Sequence, residues 1–161
     1  MKLTDERYLQ VFERVGKNDT QNVFTPPRLI RRMLSRINFN SNDKVLVWYN
    51  VEFLIYLVKE IGLSPKNIYI YTNTKDKLIL EKQGYIVVYQ EKIDFNELND
   101  FLKGMKFNCV IGNPPYHDTS ADRKKFNQLG NKKLWKIFLK KSSELVGDDG
   151  YICLLVPQAV T

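Results

Sequence analysis

The sequence is poor in the residues that build disulfides and metal sites. It contains one histidine and two cysteines, Cys109 and Cys153, in 161 residues. Each cysteine lies in a short apolar stretch, so we expect two reduced core residues rather than a disulfide. Zinc sites need several cysteine or histidine ligands at close spacing, and no such spacing occurs here. The sequence therefore predicts no metal site.

Long hydrophobic segments are also missing. No apolar run approaches the roughly 20 residues of a membrane-spanning helix, and the first five residues do not resemble the start of a signal peptide. A hydrophobic content of 43% over 161 residues is ordinary for one globular domain. These observations predict a soluble cytoplasmic protein without a membrane partner.

Acidic residues are scarce relative to basic ones. The chain has 18 Asp or Glu against 25 Lys or Arg, which gives a net charge of +7. The stretch from Arg123 to Lys141 contains eight basic residues and no acidic one. Such a stretch is either a solvated helix face next to a loop or a surface that contacts phosphates. The candidate phosphate contacts are Arg123, Lys124, Lys125, Lys132 and Lys133.

Apolar residues along the rest of the chain alternate between a strand period and a helix period. They predict strands at 44–49, 67–73, 86–89, 107–112 and 151–156, and helices at 51–62, 78–84, 95–103 and 132–146, with a turn at 147–150. This alternation predicts an α/β fold with a mostly parallel sheet and helices on both faces. Residues 1–22 are expected to form an N-terminal helix and linker, which leaves 23–161 as the main domain.

The fourth predicted strand ends in Asn113-Pro114-Pro115-Tyr116. Proline has no backbone N–H, so the two prolines end the strand and stiffen the segment after it. Open α/β sheets bind ligands at this carboxyl edge. Two acceptors there, the Asn113 side-chain oxygen and the Pro114 carbonyl, would draw the amine of an aromatic base toward an attacking geometry. The Tyr116 ring would stack on a base pulled out of a duplex. The alternative is a proline turn that only ends a core strand.

Asn-Pro-Pro-Tyr after an apolar strand resembles the catalytic motif of the N6-adenine DNA methyltransferases, in the motif order of type I and fused restriction-modification enzymes. The resemblance covers about residues 24–157. It implies a Rossmann-like, S-adenosylmethionine-dependent methyltransferase fold with sheet order 3-2-1-4-5. It also implies methylation of adenine N6 in DNA, with the four residues of the motif as catalytic residues. The family's C-terminal hairpin and target-recognition domain are not found in this sequence, so a recognition domain or subunit is an expected partner beside DNA.

The same resemblance implies where the cofactor binds. Phe24-Thr25-Pro26-Pro27 matches an element in which the threonine and a helix start hold the amino-acid end of S-adenosylmethionine. Alternatively, Thr25 only caps a helix that has Pro26 at its first position. Asn73 takes the place of the acidic residue that binds the ribose hydroxyls.

A further pair, Asp94-Phe95, resembles the acidic–aromatic pair that binds the adenine ring of the cofactor. Asp94 is equally suited to cap the helix predicted at 95–103. The resemblance and the local pattern therefore give this residue two different roles.

The end of the first strand departs from the family pattern. Val47-Trp48-Tyr49-Asn50-Val51-Glu52 stands where the family has a glycine-rich turn, and bulky residues do not easily adopt positive φ or leave room for the cofactor. Either Trp48 or Tyr49 stacks on the cofactor, or the turn blocks it. Three hypotheses remain open: an adenine methyltransferase, a methyltransferase-like DNA-binding subunit that no longer binds the cofactor, or a structural fragment without a ligand.

Overall fold

The computed structural model describes residues 25–73, 77–115 and 134–155. Several predictions concern residues outside these ranges. They are the N-terminal helix and linker at 1–22, the cofactor residue Phe24, the catalytic residue Tyr116, and the phosphate contacts Arg123, Lys124, Lys125, Lys132 and Lys133.

Five parallel strands form one sheet in the order β3-β2-β1-β4-β5. The strands are β1 (Val45–Trp48), β2 (Ile68–Thr72), β3 (Ile86–Tyr89), β4 (Phe107–Gly112) and β5 (Val146–Leu154). The predicted parallel sheet and its order are both confirmed. All four residues of β1, the central strand, are buried, because helices pack against both faces of the sheet there.

Helices cover both faces of the sheet. They are α1 (Pro27–Leu34), α2 (Glu52–Ile55) with a π-helical continuation (Tyr56–Ile61), α3 (Lys77–Lys82), α4 (Phe95–Phe101) and α5 (Leu134–Leu145), with a short 3-10 turn (Pro65–Asn67) before β2. Alternate residues of β1 point to opposite faces. Val45 and Val47 pack with the residues of α1 and α2, whereas Leu46 and Trp48 pack with those of α4 and α5. Within the described residues, no helix has the length and apolar character needed to cross a bilayer.

The turn predicted at 147–150 is instead part of β5. Val146, the first residue after α5, already pairs with Phe107, and Tyr151 pairs with Cys109. One residue of β4, Asn108, therefore faces the four residues 147–150 of β5, which bulge out of the ladder. The Gly-Asp-Asp-Gly sequence that indicated a turn forms this bulge, because pairing begins before it.

Gly112 permits the close approach of β4 to β1 at the carboxyl edge. Gly112 has a φ of +147°. A Cβ placed on it would lie 2.6 Å from the carbonyl oxygen of Trp48 and 2.9 Å from the backbone nitrogen of Trp48. No side chain fits in that space, since these are backbone atoms held in the sheet register. Glycine is therefore required at the residue that precedes Asn113.

We expect Gly112→Ala to lower the free energy of unfolding by about 2–3 kcal/mol, because it adds strain and a backbone clash. Urea unfolding followed by circular dichroism measures the change. Gly147→Ala is the matched control, since its nearest contact would be an ordinary 3.6 Å from Phe107 O. Equal losses in the two variants would contradict the role assigned to Gly112.

Candidate functional site

The carboxyl ends of three neighbouring strands meet at one edge of the sheet. Trp48, the last residue of β1, pairs with Tyr71 of β2 on one side and with Gly112 of β4 on the other. Asn113, Pro114 and Pro115 follow Gly112 directly and are buried, with Asn113 6% exposed. The structure therefore brings these three predicted catalytic residues beside the β1–α2 turn. Their catalytic role stays a prediction.

Tyr49 gives that turn a left-handed backbone. Its φ is +71°, and it is the one non-glycine residue with positive φ among the described residues. The expectation that a glycine-free turn avoids this conformation is wrong for this chain. The Tyr49 N–H donates to Tyr71 O at 2.7 Å, and its ring packs edge-on against Tyr71 and Phe138 at centroid distances of 5.2 and 5.6 Å. These contacts hold the residue in a conformation that costs about 1 kcal/mol or more.

Aromatic rings fill the space below the turn on the α4–α5 side. Trp48 lies 5.1 Å from Tyr71, 5.0 Å from Phe138 and 6.4 Å from Phe95, centroid to centroid. The indole N–H of Trp48 donates to Ser142 Oγ at 2.8 Å, and the Ser142 hydroxyl donates to Phe138 O at 2.7 Å. The cluster fixes Trp48 and the half-buried Phe95 against α5.

Asp94 serves as the cap of α4. Its Oδ1 accepts the backbone N–H groups of Asn96 and Glu97, each at 3.1 Å. The capping alternative is therefore confirmed, and the cofactor role of Asp94 and Phe95 stays a prediction. Gln90, which the sequence reasoning missed, holds the cap in place: its Oε1 accepts from the Tyr71 hydroxyl at 2.5 Å and from the Asp94 N–H at 3.1 Å.

A buried acidic residue, Glu52, lies on the other side of the turn, at the start of α2. Its Oε2 accepts the Thr25 N–H at 2.5 Å and the Asn50 Nδ2 at 2.8 Å. Thr25 and Glu52 are 1% and 0% exposed. The prediction that Thr25 caps α1 is wrong, because Pro26 is the N-cap residue and Pro27 the first helical residue. Thr25 instead binds the carboxylate of Glu52 through its backbone.

Buried acceptor atoms at this edge that find no donor within the described residues include Glu52 Oε1 and the side-chain oxygen of Asn73, the residue after β2. Buried oxygens of this kind are almost always hydrogen-bonded in folded proteins. Such atoms fit a ligand that carries N–H or O–H groups. Glu52 escaped the sequence reasoning because an acidic residue in the first turn of a helix is common; the signal was its position directly before the apolar pair Phe53-Leu54.

Burial raises the pKa of the Glu52 carboxyl above its usual 4.5, and the hydrogen bonds from Asn50 and Thr25 offset part of that rise. The neutral form is therefore favoured by folding. The stabilisation that comes from the neutral Glu52 carboxyl is complete at pH values below the pKa of this group in the unfolded chain. It is lost as the pH rises through the higher pKa of the same group in the folded protein.

We therefore expect the free energy of unfolding of the wild type to fall as the pH increases above 4.5. Glu52→Gln should lack this fall, because an amide has no proton to lose. Chemical denaturation between pH 4 and pH 8 compares the two proteins. Glu81→Gln, at an exposed position on α3, should follow the wild-type profile. Parallel profiles for wild type and Glu52→Gln would contradict the assignment.

Comparisons with known proteins agree with this architecture. The family model described as Eco57I restriction-modification methylase matches residues 39–161. The structure is similar to TrmN from Thermus thermophilus, with a TM-score of 0.62, 15% identity, and coverage of 97% of this chain and 43% of that one. It is also similar to a type I restriction-modification system methyltransferase subunit from Streptococcus thermophilus, with a TM-score of 0.57, 14% identity, and coverage of 86% and 35%.

No curated protein sequence matches the chain. The chain spans less than half the length of the two solved structures that it resembles. At these identities the two structures show the fold, which is the Rossmann-like fold of methyltransferases, and the family model adds the relationship. The chain belongs to the Eco57I restriction-modification methylase family.

Proposed function

We propose that this chain is the methyl-transferring part of an enzyme that methylates the N6 amine of adenine in DNA, with S-adenosylmethionine as the methyl donor. The observation that carries the proposal is the placement of Asn113 and Pro114. Both follow Gly112 at the strand end that pairs with the end of β1. The backbone there is fixed by the Trp48 contact and by the Leu155 N–H, which donates to Gly112 O at 3.0 Å.

Two fixed acceptors suit an amine substrate. The Asn113 side-chain oxygen and the Pro114 carbonyl accept the two hydrogens of the adenine amine, which draws the nitrogen lone pair out of conjugation with the ring. S-adenosylmethionine, when bound, supplies an electrophilic methyl group. The amine nitrogen would bond to this methyl carbon as the carbon–sulfur bond breaks, with S-adenosylhomocysteine as the leaving group. The positively charged nitrogen would then lose a proton to solvent, so no strong base is required. Rigid placement of the acceptors lowers the entropic cost of reaching this geometry.

The described residues offer partners for the cofactor. Its ammonium group and ribose hydroxyls are hydrogen-bond donors, and Glu52 Oε1 and the Asn73 oxygen are buried acceptors without donors in the described part of the chain. Asn73 follows β2, where the family resemblance implies a ribose contact. Phe95 is half-buried beside Trp48 and offers a ring to the adenine base.

A second candidate function rests on the turn itself. Tyr49 and Asn50 are 5% and 2% exposed, and their side chains take up space that glycines would leave open. On this hypothesis the chain is a methyltransferase-like subunit that binds DNA without binding the cofactor. Binding of the cofactor decides between the two.

We expect labelled S-adenosylmethionine to transfer its methyl group to unmethylated genomic DNA, with N6-methyladenine as the product nucleoside by mass spectrometry. Asn113→Ala should reduce the rate by roughly 100-fold, because the amine loses one of its two positioning contacts. Calorimetry should show unchanged cofactor binding in this variant. The exposed Asn38→Ala is the matched control.

Three outcomes would contradict the proposal. Methylated cytosine as the product would exclude adenine as the substrate. Full activity in Asn113→Ala would exclude the assigned catalytic role. Absence of cofactor binding, with DNA binding retained, would favour the second candidate.

DNA binding is proposed through the basic stretch at 123–133 and a stacking contact from Tyr116. We expect the affinity for a DNA duplex to fall steeply as salt concentration rises, because each lysine or arginine that contacts a phosphate releases counterions. Replacing Arg123, Lys124 and Lys125 together by alanine should weaken binding and reduce the slope of log affinity against log salt by roughly one unit for each phosphate that is no longer neutralised. An unchanged slope would exclude these three residues as phosphate contacts.

A separate target-recognition domain or subunit is proposed to determine which DNA sequence is methylated.

A further inference from the structure

The position of Glu52 changes which groups the cofactor site can recognise. In the family, the threonine at this position and the adjacent helix start hold the amino-acid end of the cofactor, which carries both a carboxylate and an ammonium group. In this chain the backbone N–H of Thr25 already binds a carboxylate, since it donates to Glu52 Oε2 at 2.5 Å. The donor that a ligand carboxylate would use is therefore occupied by a side chain of the protein.

The contact between Thr25 and Glu52 is well protected. Both residues are at most 1% exposed, and Asn50 donates a second hydrogen bond to the same oxygen at 2.8 Å. A ligand carboxylate brought to Thr25 would have to displace Glu52 or lie against it. The ionised form of Glu52 would repel the ligand carboxylate where water is excluded, and its neutral form would still occupy the Thr25 N–H. The corner is thus unfavourable for a ligand carboxylate.

The second oxygen of Glu52 has the opposite preference. Oε1 is buried and has no hydrogen-bond partner within the described residues. No lysine or arginine among those residues forms an ion pair with Glu52. A buried carboxylate oxygen without a donor or a counter-charge is unfavourable. An ammonium group supplies both, in a charge-assisted hydrogen bond, and its positive charge stabilises the ionised form of Glu52 that burial alone disfavours.

We propose that Glu52 converts this corner of the site into one that recognises the ammonium group of the cofactor's amino-acid end and does not bind its carboxylate. This inference rests on the proposed function, because it concerns the same cofactor. It makes Glu52 a specificity-determining residue, and it predicts tolerance of adenosyl ligands that lack the carboxylate.

Three ligands test the inference by calorimetry on the full chain. S-adenosylhomocysteine carries both groups, its decarboxylated analogue carries only the amine, and methylthioadenosine carries neither. We expect the decarboxylated analogue to bind at least as tightly as S-adenosylhomocysteine, and both to bind at least about tenfold more tightly than methylthioadenosine. This comparison needs no variant, so it does not depend on how a substitution folds.

The variant Glu52→Gln then tests whether Glu52 causes the preference for ligands that carry the amine. It should weaken binding of the two amine-bearing ligands by about tenfold and leave methylthioadenosine unchanged. The inference is overturned if S-adenosylhomocysteine binds more than about tenfold tighter than its decarboxylated analogue, or if the variant changes all three affinities alike. Binding of methylthioadenosine without any amine preference would overturn this inference and leave the proposed function standing. Absence of binding by all three ligands would overturn both.

Discussion

The contact between the ends of β1 and β4 determines how the candidate site is built. Gly112 and Trp48 are register partners, and the space between their backbones excludes even a single added carbon. This proximity places Asn113 and Pro114, which follow Gly112, beside the turn from Tyr49 to Glu52. The indole N–H of Trp48 donates a hydrogen bond to Ser142 on α5, which holds the Trp48 side chain in place. The geometry of the segment that contains Asn113 and Pro114 therefore depends on residues to which no catalytic role is assigned.

The two halves of the candidate site differ in how far they match the pattern that the family resemblance implies. The Asn-Pro-Pro segment follows its strand as the family resemblance implies. The turn after β1 keeps a left-handed residue but places a tyrosine there, and aromatic packing replaces the freedom of glycine. The first turn of α2 carries a carboxylate that accepts a hydrogen bond from the Thr25 N–H. The turn is therefore a packed, hydrogen-bonded one, where the family resemblance implies a glycine-rich loop.

Sequence patterns predicted the sheet well, because five short apolar strands separated by helices leave few ways to bury both faces. Asp94 could be predicted as a cap since its position before Phe95 is a local signal. The conformation of Tyr49 could not, because the contacts that stabilise it come from Tyr71 and Phe138, which lie 22 and 89 positions further along the chain. Glu52 was missed for a similar reason, since its donor at Thr25 is 27 residues away. Local sequence patterns predict the helices and strands, whereas the candidate site is formed by contacts between residues that are far apart in the sequence.

The indole of Trp48 has a practical consequence. The protein has two tryptophans, Trp48 and Trp135, and Trp48 directly precedes the turn beside the proposed site. Its ring is fully buried and its nitrogen is bonded to a serine, so its emission will respond to small shifts in polarity at the sheet edge. A protein with Trp135 replaced by phenylalanine would carry a single tryptophan, which can be excited separately from the nine tyrosines, and ligand entry into the proposed site could be followed in real time without a label.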